Sequence, residues 1–508
     1  MLKKIRIILA SIFFIGLTML FLDFTGTLHA WLGWMAKVQL LPAVLALNFA
    51  IVAVLLLMTL LFGRVYCSVI CPLGVMQDII SWIHGKTKKK NRFRFSWSPA
   101  KNWLRYTVLV LFVIGLALGA HSIAILIAPY SAYGRIAGNL FAPLYQLGNN
   151  LFAWIAERAG SYAFYSVDVW IRSISTFAIA AVTFAVVGVL AWKNGRTWCN
   201  TICPVGTALG FFSRFSVFAP VIDTDKCRNC GLCGKQCKAS CINMKEHQID
   251  YSRCVACMDC IDTCNEGAIR YALRYGRKSP VEPGMTATGP EATAGKEKAD
   301  KGRRAFITSA VIAGTAVAAK AQEMKVDGGL AAVSNAEKPE RQTPLVPAGS
   351  ISLKHFTDHC TACQLCVSVC PNQVLRPSAS LMTLMQPEMS YERGYCRPEC
   401  TKCTDICPAG AILPVSREEK SSIQIGHAVV NLANCVVNTD GVKCGNCARH
   451  CPAGAIRLVR KDPEDPQSLM IPTVNEERCI GCGACENLCP ARPFTAIHVE
   501  GHEVHRTI

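Results

Sequence analysis

GRVYCSVICPLG, Gly63 to Gly74, returns as GRTWCNTICPVG, Gly195 to Gly206, so that Cys67 and Cys71 recur as Cys199 and Cys203. Each copy directly follows an apolar run. A C-x3-C step in a helix sets both thiols on one face, one turn apart, and the proline behind the second cysteine predicts a bend where the helix ends. The segment therefore reads as an internal duplication whose four thiols converge at one surface. Four thiolates can hold an iron-sulfur cluster or another metal, or cycle as dithiols. Packed structural cysteines are the plain alternative.

The chain has 508 residues, 51% of them hydrophobic, with 29 cysteines and a formal charge of +18, far from an average soluble domain. Its apolar mass falls in four runs before residue 195: Ile5 to Leu22, Leu40 to Phe62, Leu104 to Ala128 and Ile174 to Trp192. Each is close to the ~20 helical residues that cross a ~30 Å hydrocarbon core, so an α-helical transmembrane bundle of four helices is predicted. No small-residue cleavage site follows the first run soon enough for a signal peptide, so it is read as a retained helix. Lys3, Lys4 and Arg6, the stretch HGKTKKKNRFRF, and Lys193 and Arg196 stand at alternate loop positions. They predict an inner-membrane, multi-pass protein with the C-x3-C-P ends facing the cytoplasm. That topology accounts for much of the charge, with attraction to anionic lipid, and needs no nucleic-acid partner.

Behind the fourth run, Cys227, Cys230, Cys233 and Cys237 form C-x2-C-x2-C-x3-C, which Cys254, Cys257, Cys260 and Cys264 repeat. In this two-cluster ferredoxin spacing three cysteines hold one [4Fe-4S] cubane and the fourth serves the other. One cluster is expected on Cys227, Cys230, Cys233 and Cys264, the second on Cys254, Cys257, Cys260 and Cys237. Structural zinc takes separated ligand pairs, which this spacing does not offer. Lys238 and Asn265 replace the usual prolines, and Cys241 is an additional cysteine, read as a buried thiol.

The small, polar stretch SPVEPGMTATGPEATAGKEKADKG reads as a flexible linker. After it, Arg303 and Arg304 precede Phe306 and a weakly apolar run, giving a twin-arginine-like segment, 303–321, in mid-chain. The run is short for a fifth membrane helix. Ala319-Lys320-Ala321 has the form of a signal-peptidase site, so three readings stand open: a cleaved segment, an anchored one, or one that is not exported. Four more runs follow: Cys360, Cys363, Cys366 and Cys370; Cys396, Cys400, Cys403 and Cys407; Cys435, Cys444, Cys447 and Cys451; and Cys479, Cys482, Cys485 and Cys489. Sixteen cysteines suffice for four clusters, six in all, but four runs permit either adjacent or nested exchange of the fourth ligand. CPAGAI after both middle runs marks repeated units of short strands and helices.

The expected division is a four-helix membrane domain at 1–205, a two-cluster ferredoxin at 206–275, a linker at 276–350 and a four-cluster, α+β ferredoxin-like domain at 351–508. Residues 1 to about 275 resemble the NapH family of membrane quinol-dehydrogenase subunits of periplasmic nitrate reduction. Residues from about 300 onward resemble the NapG/MauM family of exported four-cluster ferredoxins, down to the arginine pair and NCVVNTDGVKCGNCARHCP. The resemblance implies a fusion of both: quinol from the membrane pool as donor, and a periplasmic reductase or its electron-carrier subunit as acceptor, with the four-cluster domain outside. The residues by themselves indicate a membrane-bound iron-sulfur electron carrier. The alternative is a maturation or metal-reducing protein that acts on another redox enzyme through the C-x3-C-P thiols. No nucleotide-binding glycine loop, C-x-x-C-H haem site or hydrolytic constellation is present. His29 and His121 are candidates for a quinone head group, though each fits a packing or interfacial role better. An electron path between a cytoplasmic ferredoxin and an external one is missing, since no paired histidines for haem occur in the apolar runs.

Overall fold

A computed structural model of the chain describes residues 1–23, 25–87, 94–274, 326–327, 331–332 and 336–508. The twin-arginine-like segment 303–321 lies outside the described residues. Residues Met1–Leu273 and Asn335–Ile508 form one body. In the intervening unit the described residues form one antiparallel pair, Val326–Asp327 with Ala331–Ala332.

The duplication is visible element by element. The first half runs through α1 (Leu2–Leu22), the short helices α2 (His29–Leu32), α3 (Trp34–Lys37) and α4 (Leu40–Leu45), then α5 (Phe49–Phe62), α6 (Val65–Val69) and α7 (Pro72–Thr87). The second runs through α8 (Asn102–Ala117), α9 (His121–Ile127), α10 (Pro129–Ile136), α11 (Ala142–Arg158), α12 (Ile174–Asn194), α13 (Thr197–Thr201) and α14 (Pro204–Ser213). Of the four expected long helices, α1 and α12 have 21 residues each and are apolar enough to cross a membrane; α5 and α8 are apolar but shorter.

Local chemistry explains the two shortfalls. The second apolar run breaks where Leu47 adopts φ 52° and the Asn48 side chain accepts from the Ile51 N–H, capping α5. The third breaks at Gly119, whose φ of 77° has no Cβ penalty. Pro72 and Pro204 begin new helices rather than merely bending old ones. At the first helical position the absent N–H removes no intrahelical bond.

α7 packs against α1 and α12, and α14 against α8 and α5, so each helix behind a C-x3-C-P motif is shared between halves. Glycine ends both motifs for a steric reason. A methyl at Gly74 would meet the Cys67 carbonyl and the Arg196 guanidinium; one at Gly206 would meet the Cys199 carbonyl and the Arg64 guanidinium.

The iron-sulfur segments contact opposite ends of α1, whose 21 residues span about 30 Å. At its start Lys3 pairs with Asp259 and Asp262 at 3.3 and 2.9 Å. Beyond its end the Lys402 ammonium donates to the Thr25 carbonyl at 3.4 Å, and the helix Leu365–Val369 packs on α1. The ferredoxin segment is closed by the antiparallel strands Phe218–Ile222 and Ile269–Leu273. In the C-terminal segment three antiparallel pairs, among them Ile423–Val430 with Ile497–Thr507, frame the cysteine loops. One buried cluster is continuous from Cys237 and Cys260 through Cys67, Cys71 and Tyr66 to Tyr130, Cys363 and Ile406.

Candidate iron-sulfur and thiol sites

In all four regular C-x2-C-x2-C runs the residues on either side of the second cysteine are left-handed: Asn229 and Gly231, Ala256 and Met258, Ala362 and Gln364, Gly481 and Gly483. Non-glycine residues pay roughly 1–2 kcal/mol each for that conformation, and Ala256 at φ 49° and Ala362 at φ 48° have no side-chain hydrogen bond to offset it. Loops of unrelated composition share this curl because it turns their thiols toward a common centre. Backbone N–H groups donate to the sulfurs, as from Ala362 to Cys360 at 3.4 Å, Ala455 to Cys451 at 3.3 Å and Ala496 to Cys489 at 3.4 Å. Thiolate sulfurs bound to iron accept such bonds, so the residues present fit the clusters.

The thiols fall into foursomes by proximity. Cys260 faces Cys257, Cys254 and Cys237, the exchange expected of a two-cluster ferredoxin. Cys360, Cys363 and Cys366 face Cys407, while Cys396 and Cys403 face Cys370. Cys447 faces Cys435, Cys444 and Cys489, while Cys479, Cys482 and Cys485 face Cys451. In each foursome the fourth thiol comes from the adjacent run. The Cys396 N–H donates to the Cys482 carbonyl at 2.9 Å, which joins the second of these foursomes to the fourth.

The structure gives three residues contacts that the sequence did not show. Lys238, in place of the expected proline, reaches Asp259 at 2.9 Å and Asp78 at 3.1 Å, and its carbonyl accepts from the Arg196 N–H at 2.8 Å. The departure from ferredoxin pattern thus ties the ferredoxin loop to the helices. Lys420, buried, donates to Cys396 Sγ at 3.3 Å and to the carbonyls of Arg397 and Cys400. Cys241 lies 3.4 Å from Cys237. That contact holds the Cys237 thiol below its ordinary value.

The four C-x3-C-P thiols are buried and face one another across the two copies. Cys67 and Cys199 lie in α6 and α13; Cys71 and Cys203 lie just beyond, at the turns into α7 and α14. Arg64 and Arg196, both 0% exposed, cross between the copies. Arg64 donates to the Cys199 carbonyl at 3.2 Å and Arg196 to the Cys67 carbonyl at 2.8 Å. The shared GR before each motif was the available signal, since a repeat that keeps Gly and Arg beside its cysteines is keeping more than ligands.

A cavity of about 980 Å³ lies beside this centre at the start of α1. Ile7, Ala10, Phe14, Ile15, Ile79 and Trp82 line its apolar part, and Arg6, Asp78, Lys238 and Asp259 are at its polar end. His29 and His121 are not among its lining residues. His29 pairs with Asp23 at 3.1 Å and His121 with Asp358 at 3.5 Å.

Residues 44–91 and 175–220 match a family described as a 4Fe-4S binding domain, 353–376 another 4Fe-4S binding domain, and 440–492 a 4Fe-4S dicluster domain. The ferredoxin-type protein NapG of Escherichia coli is 32% identical over 210 residues, 38% of this chain and 83% of that protein. The ferredoxin-type protein NapH of Haemophilus influenzae is 25% identical over 244 residues, 46% of this chain and 71% of its own length. The putative electron transport protein YccM of Escherichia coli is 23% identical over 228 residues, 44% of this chain. The chain spans 55% of the length of YccM, and 65% of that of an uncharacterized protein of Methanocaldococcus jannaschii. NapH-like and NapG-like matches cover different parts of the chain. No solved structure matches.

Proposed function

The chain belongs to the NapG/MauM family of ferredoxin-type proteins, and on that footing we propose that this iron-sulfur electron-transfer protein oxidises a membrane quinol in the cavity beside α1. The observation that carries the reading is the cavity's two-part chemistry. An apolar slot along α1 and α7 suits an isoprenoid-bearing ring, and its polar end lies at Lys238 and Asp259, beside the Cys257 and Cys260 loop. Quinol oxidation releases two electrons, taken singly, and two protons, which pass to solvent water. Arg6 and Lys238 orient the quinol oxygens, while Asp78, locked among cations, holds those side chains in place.

Bound clusters supply one-electron carriers. Six [4Fe-4S] clusters on the 24 ferredoxin cysteines agree with the foursomes above. We assign α1, α5, α8 and α12 to a membrane-embedded bundle, the two-cluster segment to the cytoplasmic face and the four-cluster segment to the opposite face, where a periplasmic reductase or its carrier subunit is the acceptor. Contact of the two segments with opposite ends of α1 supports this sidedness. Retention of α1 has support in its buried Leu17, Leu20 and Phe21, which belong to the common core.

The test is anaerobic reduction of purified full-length protein by a lipophilic quinol, followed by iron-sulfur absorbance. Ile79→Trp, on the partly exposed wall of the cavity, is expected to slow reduction at least tenfold with iron content unchanged. Equal rates in variant and wild type would overturn the cavity assignment. Failure of any quinol to reduce the wild type would overturn the quinol reading and favour the maturation role. A C-terminal tag is expected to be protease-accessible in spheroplasts; a protected tag would refute the sidedness.

A further inference from the structure

Each C-x3-C-P copy brings two cysteines, too few for a cluster, yet 4Fe-4S binding is the family description for both segments. Their convergence supplies four. The donors around them point one way. Arg64 donates to Cys67 Sγ at 3.7 Å, Arg196 and Gln77 to Cys199 Sγ at 3.8 and 3.2 Å, the Gly206 N–H to Cys203 Sγ at 3.3 Å, and the Gly74 N–H faces Cys71. All four sulfurs therefore stand as acceptors, the pattern of metal-bound thiolates.

Charge provides an independent argument. Arg64 is fully buried and, among the described residues, pairs with no carboxylate; its nearest anionic partners are the cysteines themselves. An uncompensated buried cation costs several kcal/mol. Neutral thiols would leave that cost in place, whereas an iron-sulfur core on four thiolates is a net anion and removes it. Among the described residues no group of three or more His, Cys, Asp or Glu closes around a single metal ion. The same is true of the ferredoxin foursomes, whose ligands must stand apart to enclose several irons.

We propose that Cys67, Cys71, Cys199 and Cys203 together hold one iron-sulfur cluster, shared between the two halves of the duplication, that links the two ferredoxin segments. On one side Arg64 donates to the Ser252 carbonyl at 3.2 Å and Asn200 to the Ala239 carbonyl at 3.2 Å, inside the loops that carry Cys254 and Cys237. On the other, Tyr66 adjoins Cys71 and Tyr130, and Tyr130 adjoins Cys363 and Cys407. A methyl at Gly134 on α10 would strike the Cys363 carbonyl, so the first loop of the C-terminal segment is seated directly on the helices. Held by Cys67, Cys71, Cys199 and Cys203, such a cluster would supply a one-electron relay between the loop of Cys254, reached through Arg64 and Ser252, and the loop of Cys363, reached through Tyr66 and Tyr130. No bond is made or broken and no proton moves. This placement fills the gap left by the absence of haem-binding histidine pairs, and it does not depend on quinol being the donor.

The test is iron and sulfide analysis with EPR on the anaerobic full-length protein. Wild type is expected to carry iron above the roughly 24 per chain of six cubanes. The Cys71→Ser, Cys203→Ser double variant should fall to about 24, lose one EPR-active centre, and keep reduction of the ferredoxin segment by dithionite while transfer from it to the C-terminal clusters stops. Arg64→Met keeps all four ligands; removing its charge should lower that centre's midpoint potential and leave the others unmoved. Iron of about 24 in the wild type, zinc or copper in place of iron, or an unshifted potential in a folded Arg64→Met protein would each overturn the proposal. If the double variant fails to fold, the wild-type iron count and the Arg64→Met potential still decide the matter. Failure of quinol reduction with this iron excess present would reject the quinol reading alone.

Discussion

Asp78→Asn is expected to destabilise the folded protein by about 3–5 kcal/mol, the usual cost of leaving a buried ionic network without its anion. The Asp78 carboxylate accepts from Arg196 at 2.8 Å on both oxygens, from Arg6 at 2.9 Å, and from Lys238 at 3.1 Å. These cations come from α1, the second motif copy and the ferredoxin loop, so one carboxylate ties three parts of the body. Asn preserves shape but removes the charge; Arg6, Arg196 and Lys238 would repel one another, with Asp259 compensating only Lys238. Thermal unfolding followed by helical circular dichroism measures the loss. Burial raises the Asp78 pKa, but the Arg196 and Lys238 charges outweigh it and hold the group well below the usual carboxylate range. A depressed folded value means that this stabilisation is fully present above the unfolded carboxylate pKa of about 4. It is lost as pH falls below that value toward the folded one. Wild type should therefore show an acid limb in its unfolding midpoint that the Asn variant lacks in part. An unchanged midpoint in Asp78→Asn at neutral pH would refute the network's role.

Cys370→Ser is expected to remove the cluster of Cys396, Cys400 and Cys403, while Cys407→Ser removes that of Cys360, Cys363 and Cys366. Each loss is about four irons, but the two variants should differ in which carrier disappears. The cluster near Cys407 and Tyr130 adjoins the helices, so its loss should stop transfer into the whole C-terminal segment. The cluster served by Cys370 is the one capped by Lys420, so its loss should remove the EPR signal whose potential Lys420→Met lowers. Nested exchange would give a different outcome: Cys370→Ser would then eliminate a centre among Cys479, Cys482 and Cys485. The adjacent pattern is the expected one because Cys451, not Cys370, neighbours those thiols.

Much of this protein was legible in its amino-acid order. The six four-cysteine runs, the duplicated motif and the apolar runs are local patterns, set by residue type at fixed separation. Helical and loop geometry act over the same few residues, so chemistry and element type follow directly. For the same reason the exchange of Cys237 and Cys264 between the two ferredoxin runs could be anticipated from spacing. Helix length was read less well, because a left-handed Leu47 and a Gly119 turn interrupt runs whose hydrophobicity is continuous.

What the tertiary structure alone decided is a matter of separation along the chain. Lys238 in a ferredoxin loop, Asp78 on α7 and Arg6 on α1 have no sequence relation, yet they form one ionic centre because folding removes them together from water, where lone charges cannot remain. Spacing among Cys360 to Cys489 allowed either pattern, and only the folded loops bring Cys407 beside Cys360 and Cys370 beside Cys396. The meeting of Cys67 and Cys71 with Cys199 and Cys203 was suggested by the repeat. Its buried arginine pair, and its place between Cys254 and Cys363, depend on α7 and α14 each packing across both halves. Motifs name the ligands, while long-range packing determines which ligands share a centre and which centres are neighbours.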